Sequence, residues 1–341
     1  MSAGAGLFSR IIRAMRRTLR VFVVVSLAAV PAAPAGRQAS DPALAARLLN
    51  GAIDMHAHVD PDSAGPSSMQ RPRLLDVDDV ARLAKKRGMR GFVAKMHNDT
   101  TAHMAYLVRK AVPGVEVFGL LGLNRAMGGV NPAAVAQMAE VKGGWGRIVN
   151  MPTYDAEFYV TTVNHPRRPK SRPFVSVSRN GQLLPEVREV IAIMAKAKTR
   201  DSKGQMVLYT GHNSPAESLM MVREASRLHV PVLVSHPIID FISMPLPMME
   251  EAAKLGAYIE IVTGWADDED ADAEARKHVS AIRKIGVEHF VISSDRGQVD
   301  SLSHPDGLVL AARALMRHGI TEAELDRMMK GNPARFLGLA R

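Results

Sequence analysis

The sequence predicts an α/β fold, a single-domain (β/α)8 TIM barrel, on three observations. From residue 51 onward, eight short and nearly continuous apolar runs alternate with longer segments of helical periodicity. Runs of this kind suit strands of a parallel sheet covered on both faces. Several of them end in a polar side chain, and a closed barrel would gather those ends on one rim. No Gly-x-Gly-x-x-Gly follows any run, which removes the dinucleotide-binding alternative.

The first run, "GAIDMHAH" (51–58), carries two histidines one residue apart. Strand alternation puts Asp54, His56 and His58 on one face. The helix "DVDDVARLAKKRG" follows, closing on glycine after a basic last turn. The second run, "GFVAKMH" (91–97), sets Lys95 and His97 in step, and Asn98 and Thr100 come next as weaker rim candidates. The third and fourth, "VEVFGLLGL" (115–123) and "GRIVNMP" (146–152), end without a metal-binding side chain. Then 59 residues separate the starts of the fourth and fifth runs, the widest such gap. The surplus is a Pro- and Arg-rich insertion at about 153–184. It lies after a strand, where such barrels place their active sites, so it either covers the pocket or is a surface excursion.

The fifth run, "QMVLYTGH" (205–212), ends in His212. Its helix opens with Ser214 as N-cap, Pro215 in the first turn and Glu217 at capping-box spacing. The sixth, "VPVLVSHP" (230–237), presents His236. The seventh, "AYIEIVTG" (257–264), carries Glu260, which faces either into the barrel or out toward a helix. The acidic run "DDEDADAE" (267–274) reads as the solvated, dipole-matched start of the next helix. The eighth, "HFVISSD" (289–295), ends in Asp295, and Arg296 beside it could contact a carboxylate or phosphate.

Composition narrows the chemistry. With 47% hydrophobic and 23% charged residues among 341, the chain is an ordinary globular one. It has no cysteine, so thiolate sites and a cysteine nucleophile are excluded and any metal falls to imidazole and carboxylate. No Gly-x-Ser-x-Gly elbow is present. The net charge of +10 is no sign of nucleic-acid binding. Five arginines lie in residues 1–35 with no acid, leaving +5 for the rest, part of it in "NHPRRPKSRP" (164–173). The basic start followed by "VFVVVSLAAVPAAPA" (21–35) has the form of a secretory signal, loosely of twin-arginine type. Residues 36–50 then read as a linker, the barrel as 51–341, and the protein as exported to the periplasm or beyond.

Four histidines (His56, His58, His212, His236) and Asp295 in matched positions on four strands suit one or two divalent cations. At this point the chain resembles the amidohydrolase superfamily of metal-dependent barrel hydrolases, in its small amidohydrolase-related branches. The resemblance runs from residue 51 to the end. It is carried by "DMHAH", "TGH", "VSHP" and "SSD", with "GNPARFLGL" (331–339) similar to the superfamily's C-terminal helix. It implies that His56, His58 and Asp295 hold a first metal, zinc before manganese or iron. It also implies that His212 and His236 hold a second metal or the substrate, and that Asp295 carries the proton. Binuclear members usually bridge their metals with a carboxylated lysine or a glutamate on strand four, and here strand four offers neither. Lys95 on strand two could be carboxylated and bridge two metals, bind an anionic part of the substrate with His97 and Arg296, or pair with Asp54 or Glu260. The expected function is hydrolysis of an amide, lactam, ester or related bond of a small molecule. A metal-dependent decarboxylase and a non-catalytic metal- or ligand-binding barrel are the alternatives.

Overall fold

The computed structural model describes residues 41–62, 73–163 and 172–340. The secretory-type segment and the most basic part of the insertion lie outside them. Among the described residues, no helix is long and apolar enough to cross a membrane.

Eight parallel strands form one sheet: β1 (Ile53–His58), β2 (Gly91–Lys95), β3 (Glu116–Gly122), β4 (Gly146–Asn150), β7 (Val207–Tyr209), β8 (Val232–Val234), β9 (Tyr258–Ile261) and β10 (Phe290–Ile292). Neighbours in the sheet follow sequence order, as a (β/α)8 barrel requires. The ring closes between its first and last members. Asp295 N donates to His56 O (2.8 Å), and His58 N to Arg296 O (2.9 Å). The extra strands β5 (Ser178–Arg179) and β6 (Gln182–Leu183) form a small hairpin within the insertion.

Local chemistry fixes the surrounding helices. The segment expected to be a linker instead carries α1 (Pro42–Leu49), with Asp41 accepting from the N–H groups of Ala43 and Leu44 and with Leu48 and Leu49 buried. The compact unit therefore begins at Asp41. Then come α2 (Val77–Lys86), α3 (Ala102–Ala111), α4 (Pro132–Ala139), α5 (Glu157–Thr162), α6 (Pro185–Lys196) and α7 (Pro215–Arg227). The Ser214–Glu217 capping box forms at the start of α7 as expected. The chain ends with α8 (Leu246–Lys254), α9 (Ala271–Ile285), α10 (His304–Arg317), α11 (Glu322–Asp326) and α12 (Asn332–Phe336). The acidic run does open α9, with Asp272 and Glu274 in its first turn.

Two apolar clusters result. One packs the helices on the outside of the ring, and the other fills its interior with Ile53, Met55, Phe118, Leu120, Tyr209 and their neighbours. The C-terminal segment supplies part of that interior. Phe336 meets the rings of Tyr209 (6.1 Å) and Tyr258 (5.3 Å), so the closing "GNPARFLGL" packs rather than reacts. Phe336→Ala is expected to cost about 3–5 kcal/mol of stability, read by urea unfolding. An unchanged midpoint would mean that the segment does not support the barrel.

One expectation about β1 fails. Its pairing with β2 runs Asp54 to Phe92 and then Ala57 to Ala94, so β1 holds one residue more than its partner between them. That bulge reverses the facing. Ile53 and Met55 lie in the inner cluster, then His56 and His58 turn into the mouth, while Ala57 joins the outer cluster. Asp54 therefore does not share the histidines' face. Its Oδ1 accepts instead from His56 N (3.0 Å) and Ser294 N (2.9 Å), taking up a donor at the bulge and tying β1 to the end of β10.

Candidate metal centre

The mouth of the barrel gathers the polar strand ends. His56 Nδ1 lies 3.0 Å from Glu260 Oε1, and His56 Nε2 lies 3.0 Å from Asp295 Oδ1. His58 Nε2 reaches the same Oδ1 at 3.0 Å. Lys95 Nζ is 2.5 Å from His56 Nε2. Around this core the imidazoles form a chain of ring contacts: His58–His97 at 4.8 Å, His56–His58 at 5.2 Å, His56–His236 at 5.9 Å and His236–His212 at 5.1 Å. All five histidines are buried.

Glycine delivers two of these groups. At Gly211 (φ +67°) a Cβ would meet Met151 O at 2.3 Å, so only glycine lets the turn before His212 cross the end of β4. At Gly297 (φ +126°) a Cβ would fall 2.2 Å from His58 O, beside the closure of the ring. His236 (φ +31°) and Asp295 (φ +50°) are themselves left-handed, a strained conformation of the kind that collects at functional sites.

The structure also shows residues that the sequence reading had not placed. Glu260 faces inward and is fully buried, accepting from His56 with one oxygen and from His236 N (3.1 Å) with the other. The sequence signal was a lone acid inside an apolar strand. His97 is set by Thr153, whose Oγ1 lies 3.3 Å from Nδ1, and by Asn124, which donates to His97 O and to Thr153. Arg73 and Asp62 form a buried pair (2.8 Å), and Asp62 also accepts from His97 N. Nothing in the spacing announced that pair. Arg296 goes the other way. Its guanidinium binds Thr263 O, Thr263 Oγ1 (3.1 Å) and Asp267, so its contacts tie β10 to the loop after β9 rather than present a substrate anchor.

The electrostatics describe a site built around positive charge. Burial alone would depress His56, but Asp295 and Glu260 outweigh burial and the opposing Lys95, and raise it to about 9. Burial carries the other imidazoles the opposite way. His236 falls to about 4 despite Glu260 and Asp295, while His58, His97 and His212 lie well below the ordinary histidine value. Lys95 is lowered by burial against the pull of the same two carboxylates. Burial opposes charge on both acids, yet His56 beside them holds Glu260 below its usual range and Asp295 far below it. A buried carboxylate, Glu260, and a half-buried one, Asp295, thus face a set of neutral imidazoles, an arrangement that suits a cation.

A divalent metal fits these residues. One ligand atom each from His56, His58 and Asp295 lie within 4.8 Å of one another. Two imidazoles and a carboxylate suit zinc, manganese or iron. Glu260, 3.0 Å from His56 Nδ1, would orient that ring toward a metal held on its other nitrogen. Among the described residues, one buried ring nitrogen each of His58, His97, His212 and His236 has no hydrogen-bond partner.

Residues 51–260, more than half of the chain, match the model of a family described only as of unknown function, DUF6282. The chain belongs to that family. None of the curated proteins matches the sequence. Among solved structures, the probable dipeptidase PvdM from Pseudomonas aeruginosa aligns at 13% identity over 87% of this chain and 97% of its own, with a TM-score of 0.56. An amidohydrolase from the same organism aligns at 14% over 87% and 98%, with 0.57. An amidohydrolase from Burkholderia multivorans with bound zinc aligns at 14% over 85% and 99%, with 0.53. At these identities the likeness establishes the fold, a (β/α)8 barrel.

Proposed function

We propose that this member of the DUF6282 family is a metal-dependent hydrolase acting on an amide, lactam, ester or related C–N or C–O bond of a small molecule. The observation that carries the reading is the convergence of His56, His58 and Asp295, with Glu260 orienting the first ring. When bound, a divalent cation supplies the charge that lowers the pKa of a water toward about 7. Asp295 Oδ1, facing both histidines, is placed to take a proton and pass it to a leaving group. His56, His58 and Asp295 would hold one ion. His212, His236 and Lys95 would serve a second ion or the substrate, and His97 lines the same mouth. Burial favours the neutral Lys95 amine, the form that could add carbon dioxide, with loss of a proton, to become a carbamate and so a further anionic ligand. Zinc in the Burkholderia multivorans structure supports zinc as the first metal to try.

The test is metal removal by a chelator, assay on a panel of amides, lactams and esters, and restoration with Zn²⁺ or Mn²⁺. Activity should vanish and return, and His56→Ala should lack it throughout. Activity indifferent to both manipulations would overturn the reading. The buried Arg73, whose charge acts on His58, favours one second reading, decarboxylation of a carboxylated substrate. Incorporation of labelled oxygen from water into the product separates hydrolysis from it.

A further inference from the structure

The loop after β4 is fastened where a surface excursion would need no fastening. Asp155 Oδ1 accepts from Arg172 Nη1 (3.0 Å), and the same guanidinium donates to Tyr154 O. Asp155 Oδ2 accepts from Arg125 N (3.0 Å), and its main-chain oxygen from Val175 N (2.7 Å). Glu157 N donates in turn to Val175 O (3.0 Å). The Asp155–Arg172 pair is nearly buried, at 3% and 11% side-chain exposure. Burying an ion pair is costly, and here it holds the Arg172 guanidinium against the main-chain oxygen of the loop residue Tyr154.

What Tyr154 touches gives the fastening its purpose. Its ring sits 4.4 Å from His97 and 5.2 Å from His212, spanning two sides of the histidine cluster. Tyr159, on α5 directly after it, packs 5.6 Å behind Tyr154 and 5.2 Å behind Phe241. Phe241 in turn meets His212 (5.1 Å) and His236 (5.7 Å). Tyr159 is buried, while Tyr154 and Phe241 keep partial exposure. Tyr159 also meets His212 at 5.1 Å, so three rings flank His212 at the side of the centre, two of them partly exposed.

We propose that Tyr154 of the insertion and Phe241 of the loop after β8, together with Tyr159, form an aromatic wall, and that this wall receives a planar aromatic or heteroaromatic ring of the substrate. The proposal deepens the hydrolase reading and rests on the same metal centre. Aromatic rings select flat partners through offset and edge-to-face packing, which an aliphatic ring of equal size makes poorly.

The experiment uses the full-length protein loaded with zinc and three hydroxamates. Acetohydroxamate reports on the metal centre alone, and benzohydroxamate and cyclohexanecarbohydroxamate differ in ring planarity at matched size. Calorimetry should give benzohydroxamate roughly a tenfold preference over the cyclohexane compound. Tyr154→Leu should bring that ratio near one, Tyr154→Phe should keep it, and Arg172→Met should reduce it by loosening the loop. Circular dichroism melting confirms that each variant is folded. Equal binding of the two ring compounds to the unaltered protein, with acetohydroxamate bound, would overturn the wall while leaving the metal centre standing. Failure of acetohydroxamate to bind would overturn both.

Discussion

Asp295→Asn is expected to lower turnover by about 10²- to 10⁴-fold while leaving metal in the protein. The amide keeps the shape of the carboxylate and an oxygen to turn toward His56 and His58, each 3.0 Å from Oδ1 in the native site. It cannot accept a proton. The native carboxyl, held far below its usual range chiefly by His56, stays ionised across the working pH of any such enzyme. Elemental analysis of the purified variant, set beside its rate on the best substrate of the panel, separates the two roles. Metal retained with activity lost assigns the proton to Asp295. Metal and activity lost together would make it a ligand alone, and full activity would remove it from the chemistry.

The barrel was legible because its strands are buried on both faces, and burial writes itself as apolar runs whatever the loops do. Each of the eight runs became a strand of the ring. The rim histidines were legible for a related reason: a histidine ending an apolar strand has few places to go except the rim. Facing within β1 was not. The Asp54-x-His56-x-His58 pattern assumed a regular pleat, and one extra residue relative to β2 turned Asp54 away into the hydrogen bonds that close the ring. A bulge depends on what the neighbouring strand does, and spacing along one strand does not carry that. Glu260 had two readings because an inward and an outward acid look alike in a short strand. Arg296 could not be given its partners from the sequence because Thr263 and Asp267 sit on the preceding strand's loop. The helix at residues 42–49, by contrast, had its Asp-Pro start in plain view at residues 41 and 42.

Glu260→Gln tests whether the centre depends on the group behind its ligands. Glu260 is fully buried and uses both oxygens, one for His56 Nδ1 and one for the backbone N–H of His236. An amide has one acceptor. Whichever way it is turned, its NH₂ faces one of these two groups, leaving either the ring of His56 or the strained backbone at His236 without its acceptor. The charge is lost as well, so His56 becomes a weaker base toward a cation. Outer-shell changes of this kind cost about 10- to 100-fold in metal affinity, and an unmet buried donor costs about 1–3 kcal/mol of stability. Competition with a chromophoric chelator reads the first, and urea unfolding of the metal-free protein reads the second. Both should fall. A loss of stability with metal affinity unchanged would make Glu260 a core acid with no part in the centre, and the convergence of His56, His58 and Asp295 would then have to arise without it.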